Sequence, residues 1–183
     1  MAKTTWKLDP SHSEVQFKIK HLMITTVTGH FGTYDVEVET ENDDFTKFSK
    51  LEFTADIDSI STNNEQRDAH LKSADFFASE EFKHIRFKGT KLAKSGNDYK
   101  LEGDLTIRGI TRPVTLDVDF GGIVKDPYGQ TKAGFTLEGK IKRKDFKVEW
   151  DAVTEAGQVV LSNEVRIVSE IQLVKLVEEL VAN

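Results

Sequence analysis

The sequence predicts an all-β fold: an extended eight-stranded antiparallel β-barrel with a short helix between strands three and four. Three observations point to it. Apolar and polar residues alternate with period two in eight separate segments, as in strands with one face buried and one in water. Turns bearing Gly, Asn, Asp or Pro separate the later segments and make them a meander. An open sheet of eight strands would expose two edges, and closure into a barrel removes both. The length, 183 residues, fits one domain spanning residues 1–183.

The first segment sets Val15, Phe17 and Ile19 against Glu14, Gln16, Lys18 and Lys20. The second sets Tyr34, Val36 and Val38 against Asp35, Glu37 and Glu39, and the third sets Leu51, Phe53, Ala55 and Ile57 against Glu52, Thr54, Asp56 and Asp58. Ile85 and Phe87 mark the fourth; Leu101, Leu105 and Ile107 mark the fifth. Val114, Leu116, Val118 and Phe120 alternate with Thr115, Asp117 and Asp119 in the sixth. Phe135, Leu137 and Ile141 form the seventh, and Val165, Ile167 and Ile171 the eighth. The turns are Ser95-Gly96-Asn97-Asp98, Arg108-Gly109-Ile110-Thr111 and Lys125-Asp126-Pro127-Tyr128-Gly129. Gly103 and Gly139 fall on apolar faces, where glycine marks a bend or a close approach.

Two segments depart from the alternation. Residues 62–73 read as a short helix, with Thr62 and Glu65 at capping-box spacing and Asp68 and Lys72 placed for an i,i+4 pair. Residues 171–183 begin as a strand. Leu173, Leu176, Val177, Leu180 and Val181 also fit helical spacing, so a final amphipathic helix is an open alternative.

Composition narrows the function classes. Twelve Phe against two Trp and three Tyr suit a core or an apolar pocket better than a wet rim. The net charge of −6 is scattered, without the Lys/Arg block that would follow a phosphate backbone, so nucleic acid is not an expected partner. The absence of cysteine removes disulfides, thiol catalysis and thiolate metal sites. No window approaches the ~18 apolar residues of a membrane-spanning helix. The start of the chain has no apolar stretch of the kind a secretory signal needs, so a cytoplasmic location is expected.

Eight strands is the size at which side chains just fill a barrel or one ligand occupies it. Strands of about nine residues at roughly 3.4 Å each give a wall about 30 Å long, enough for a long hydrocarbon tail. The candidate apolar lining comprises Phe17, Ile19, Phe31, Phe53 and Ile57, followed by Phe76, Phe87, Leu105 and Ile107. Leu116, Phe120, Phe135 and Leu137 complete it. Pattern alone leaves a pore and a filled core both open.

Several motifs in order go further. Trp6-x-Leu8-Asp9-Pro10-Ser11-His12-Ser13 leads into Val15-x-Phe17-x-Ile19-Lys20-His21, then Gly29-x-Phe31. Asn64-Glu65-Gln66-Arg67-Asp68-x-His70-Leu71-Lys72-Ser73-x-Asp75-Phe76-Phe77 follows. Gly103-Asp104-Leu105-Thr106-Ile107-Arg108-Gly109-Ile110-Thr111-Arg112-Pro113-Val114 and Arg143-Lys144-Asp145-Phe146 complete the set. Together, over roughly residues 5–174, the chain resembles the YceI-like family, polyisoprenoid-binding proteins with a lipocalin-like barrel. The resemblance implies a long apolar pore holding an isoprenoid or similar amphiphile, such as a polyprenyl diphosphate, a quinone precursor or a fatty-acid amide. It also implies a possible homodimer and, for many members, secretion to the periplasm. By this reading the chain is expected to depart from that pattern in having no leader and in its tail after Leu173.

Within these motifs Arg67, Asp68 and His70 are the densest polar cluster. Arg67 and His70 are head-group candidates, since an Arg fork suits a diphosphate; holding the helix to the barrel is the favoured alternative. His21 shares the parity of Val15, Phe17 and Ile19 and is a third head-group candidate, or a satisfied core histidine. Arg143, Lys144 and Asp145 could meet a head group, but stapling the long 143–163 connection is the favoured reading.

No metal-ligand spacing appears, so neither a metal nor a cofactor is expected beyond a bound lipid. There is no Gly-x-Ser-x-Gly elbow and no phosphate-cradling loop. Ser11-His12-Ser13 are adjacent, and neighbours on a strand point to opposite faces. The reading is therefore binding, storage or transport of a long isoprenoid-like lipid rather than catalysis. An enzyme acting on such a lipid, or a filled barrel working through its surface or a dimer interface, are the alternatives.

Overall fold

Eleven strand segments make one antiparallel sheet in the computed structural model, which describes residues 2–152 and 160–176. β1 (Lys3–Leu8) and β2 (Glu14–His21) lie end to end along β11 (Leu161–Lys175), parted by a 3₁₀ turn at Pro10–His12. β3 (Thr25–Phe31) returns along β2, and β4 (Tyr34–Glu41) continues it along β1. β5 (Asp44–Asp56) pairs with β4, and after a 3₁₀ turn at Ile57–Ser59, β6 (Ile60–Ser61) pairs with β3. Each of these three runs is one interrupted strand.

The remaining strands form the meander: β7 (His84–Ser95), β8 (Asp98–Ile107), β9 (Ile110–Lys125) and β10 (Thr131–Lys142). β7 pairs with β5 and β10 with β11, and the pairing of β11 with β1 closes an eight-strand barrel. The eight alternating segments of the sequence are β2, β4, β5 and β7 to β11. The alternation did not reveal β1, β3 and β6. β3 carries Thr25, Val27 and Gly29 at the inward positions, so its apolar contrast is weak.

The helix α1 (Glu65–Lys72) stands between β6 and β7, the third and fourth barrel positions. It starts three residues later than the 62–73 reading, because Asn64 is its cap: the Asn64 side-chain oxygen accepts the Arg67 N–H at 2.9 Å. Thr62 is no cap. Asp68 is turned to Thr62 instead of Lys72, accepting its N–H at 2.8 Å and its hydroxyl at 2.6 Å. Of the 171–183 run, residues 171–175 are strand, so Leu173 is not helical; residues 177–183 of the helical alternative lie outside the described residues.

Gly103 and Gly139 leave no free space beside them. A Cβ on Gly103 would overlap the Phe87 ring and stand 2.6 Å from the Lys88 carbonyl oxygen, while one on Gly139 would overlap Leu116. The barrel's own side chains lie across these glycines and pack flat against the wall.

Candidate functional site

Three cavities lie in line along the barrel, the third walled in part by Asn42, Asp43, Asp44 and Thr46. The largest, about 480 Å³, sits at the end where α1 and the 143–150 segment meet the sheet. Val15, Phe53, Leu105 and Ile167 line both it and a second cavity of about 150 Å³ in mid-barrel. Phe45, Leu92, Val118 and Phe135 line both that one and a third, about 410 Å³, beneath the β4–β5 turn. The shared wall residues set the three in one row, with the smallest, the waist, between the other two. The far end of the row is aromatic: Phe120 stacks on Phe135 with ring centroids 5.0 Å apart, and Phe45 meets Phe135 edge-on at 4.9 Å.

The inward parity of the strands delivers most of this wall. Phe17, Ile19, Phe31, Phe76 and Ile107 line the large cavity. Phe53 and Leu105 stand at its junction with the waist, which Phe87, Leu116, Phe135 and Leu137 also line. Phe120 lines the far cavity. Ile57 differs: it is fully buried in the 3₁₀ turn after β5 and touches none of the three. The turn interrupts the parity that aimed Ile57 inward.

The mouth is built from three connections that the alternation did not reach. Arg67 lines it, but its guanidinium is turned back onto Thr62: Nε donates to the hydroxyl at 2.7 Å and Nη2 to the carbonyl at 2.8 Å. His70 also lines the mouth, bonded through Nε2 to Asp75 at 2.9 Å. Its ring meets Phe76 and Trp150 edge-on at 5.0 and 4.9 Å. His21 ends β2 at the rim.

Arg143 is 4% exposed and acts as the staple of its connection. It donates to the carbonyls of Val148, Trp150 and Ser162 at 2.7–2.9 Å, which fixes residues 148–150 against the start of β11. Burial lowers its pKa, and Asp151, 3.8 Å away, opposes the shift. Trp150, Phe146 and Val148 are lining residues that the sequence reading passed over. Their own period-two spacing, Phe146-x-Val148-x-Trp150, is the signal that could have found them.

Near the 3₁₀ turn, Asp9, Ser11 and His12 form a polar cluster whose geometry is unsuited to a nucleophilic relay. A relay needs the carboxylate on one ring nitrogen and the hydroxyl on the other. Here Asp9 and Ser11 both contact His12 Nδ1, at 2.9 and 3.1 Å. The cluster holds the kink between β1 and β2.

Comparison with known proteins agrees with this architecture. The YceI-like domain matches residues 6–173. UPF0312 proteins of Staphylococcus aureus are 42% identical over 166 residues, covering 89% of this chain and 93% of theirs. The Campylobacter jejuni YCEI protein has a TM-score of 0.73 at 35% identity, covering 94% of this chain and 97% of that one. A polyisoprenoid binding domain from Saccharophagus degradans, implicated in plant cell wall breakdown, has a TM-score of 0.63 at 14% identity. That match covers 93% of this chain and 98% of the domain, and at that identity the likeness is one of fold alone. The match over residues 6–173 and the 42% identity together make this chain a member of the YceI-like domain family.

Proposed function

We propose that the barrel shelters a long isoprenoid-like lipid and stores or carries it without transforming it. The observation that carries this reading is the line of three cavities with shared apolar walls along the barrel. Taken as one channel, this row suits an extended chain better than a compact ligand. Each methylene moved from water into it contributes about 0.8 kcal/mol, so a long tail gains affinity without any specific polar contact. The fold shared with the Saccharophagus degradans polyisoprenoid binding domain supports the choice of ligand class. The polar end of the amphiphile sits at the mouth, beside His21, Thr62 and His70.

The test is mass spectrometry of an organic extract from natively purified protein, with uptake of a polyprenol by delipidated protein alongside. A long-chain lipid near equimolar amount, or saturable uptake, is the expected result. Absence of lipid from the extract together with absence of uptake would overturn the reading.

A further inference from the structure

The turn between β2 and β3 breaks the rules of turn chemistry. Leu22 and Met23 occupy its two central positions with φ of +52° and +60°, and the Ile24 N–H donates to the His21 carbonyl at 3.1 Å. Such positions favour Asn and Gly, and a bulky residue in this left-handed region costs about 1–2 kcal/mol. The tip is also apolar where it meets water: Met23 is 67% exposed and Ile24 77%. A strained turn presenting apolar side chains to solvent is a sign of a contact made with something else.

Position and charge identify the partner. His21 and Thr25, on either side of the tip, both line the large cavity, so the tip stands at the channel's mouth. Behind it, the outer face of the barrel carries a cationic row. Lys18 of β2 is in register with Arg166 of β11, which is in register with Lys140 of β10. Lys20 and Lys142 lie one outward position nearer the same end. Among the described residues, Lys140 is the one of these five in an ion pair, with Glu164 at 3.7 Å. Apolar side chains at a tip, backed by cations on one face, match the acyl boundary and the anionic head groups of a membrane surface.

We infer that the Leu22–Ile24 tip and the Lys18–Arg166–Lys140 row form a docking surface for an anionic phospholipid bilayer, presenting the channel mouth to it. The docking is a property of the exterior; its use in passing cargo rests on the lipid-carrier reading.

The experiment is co-sedimentation with phosphatidylcholine vesicles, with and without phosphatidylglycerol, at low and high salt. Wild-type protein should sediment with the anionic vesicles and be released by salt. Met23→Ser/Ile24→Ser should bind about tenfold more weakly or worse, since two exposed apolar side chains no longer insert. Lys18→Gln/Arg166→Gln should lose about tenfold on anionic vesicles only. All of these positions are on the exterior, so unchanged melting curves separate docking from folding. Lipid extracted from each variant should match wild type, which separates docking from cargo binding. Absence of wild-type sedimentation, equal binding by the tip variant, or a tip variant that instead turns a dimer into a monomer would overturn the proposal.

Discussion

Lys132 Nζ donates to Asp9 Oδ2 at 2.7 Å, joining residues 123 positions apart and fastening the kink between β1 and β2 to the start of β10. Both side chains are shielded, at 13% and 11% exposure, and Asp126 lies 3.6 Å from the same ammonium. The Gln172 side chain also donates to Asp9, at 3.2 Å. The hydrogen bond from Lys132, helped by Ser11 and His12, holds the Asp9 carboxyl well below the usual carboxylate range.

Asp9→Asn is therefore expected to lower the melting temperature by several degrees. A depressed carboxylate contributes stability that is present above its unfolded pKa of about 4 and lost as pH falls below it. The gap between wild type and variant should be full at neutral pH and shrink on acidification below about pH 4. Parallel thermal melts across pH check this; a gap that stays constant would remove Asp9 as its source.

Leu105 lines both the large cavity and the waist and is 6% exposed. Leu105→Asp should cost about 3–5 kcal/mol, because it buries a carboxylate without a partner. Leu105→Trp is the milder variant. It should cost about 1–3 kcal/mol, keep the fold, and block the waist, so that retained lipids become shorter. Urea unfolding and lipid extraction read the two effects separately.

Arg67 has Nε and Nη2 committed to Thr62, so its loss should loosen the mouth rather than erase a head-group contact. Arg67→Ala is expected to cost about 1–2 kcal/mol of stability and to weaken anionic and neutral lipids of equal tail length alike. Titration of both lipids at one salt concentration decides it. A loss confined to the anionic lipid would assign Arg67 to the head group instead.

Gly103→Ala should destabilise the barrel by about 1–3 kcal/mol. The Phe87 ring can turn aside, but the Lys88 carbonyl 2.6 Å from the new Cβ is backbone and cannot. Denaturant midpoints of this variant and of Gly134→Ala, where the new Cβ would meet open space and φ is not positive, provide the comparison.

The barrel wall was legible from residue order because strand side chains alternate with a period of two, whatever the strand pairs with. Phe17, Phe53 and Leu105 needed no more than that to be aimed inward. β3 escaped because Thr and Gly replace apolar residues on its inner face, and Ile57 was misplaced where a 3₁₀ turn broke the period. Closure of the barrel decided the rest. It brought residues 62–77, 143–150 and 160–161 together as one mouth, and it separated two arginines that look alike in sequence. Arg143 is buried by its carbonyl partners, while Arg67 lies at the exposed rim. Local periodicity specifies which face a residue takes, since it is a property of one strand. Which connections meet, and whether the space between the walls is filled, depends on contacts between distant segments, which exist only once the barrel has closed.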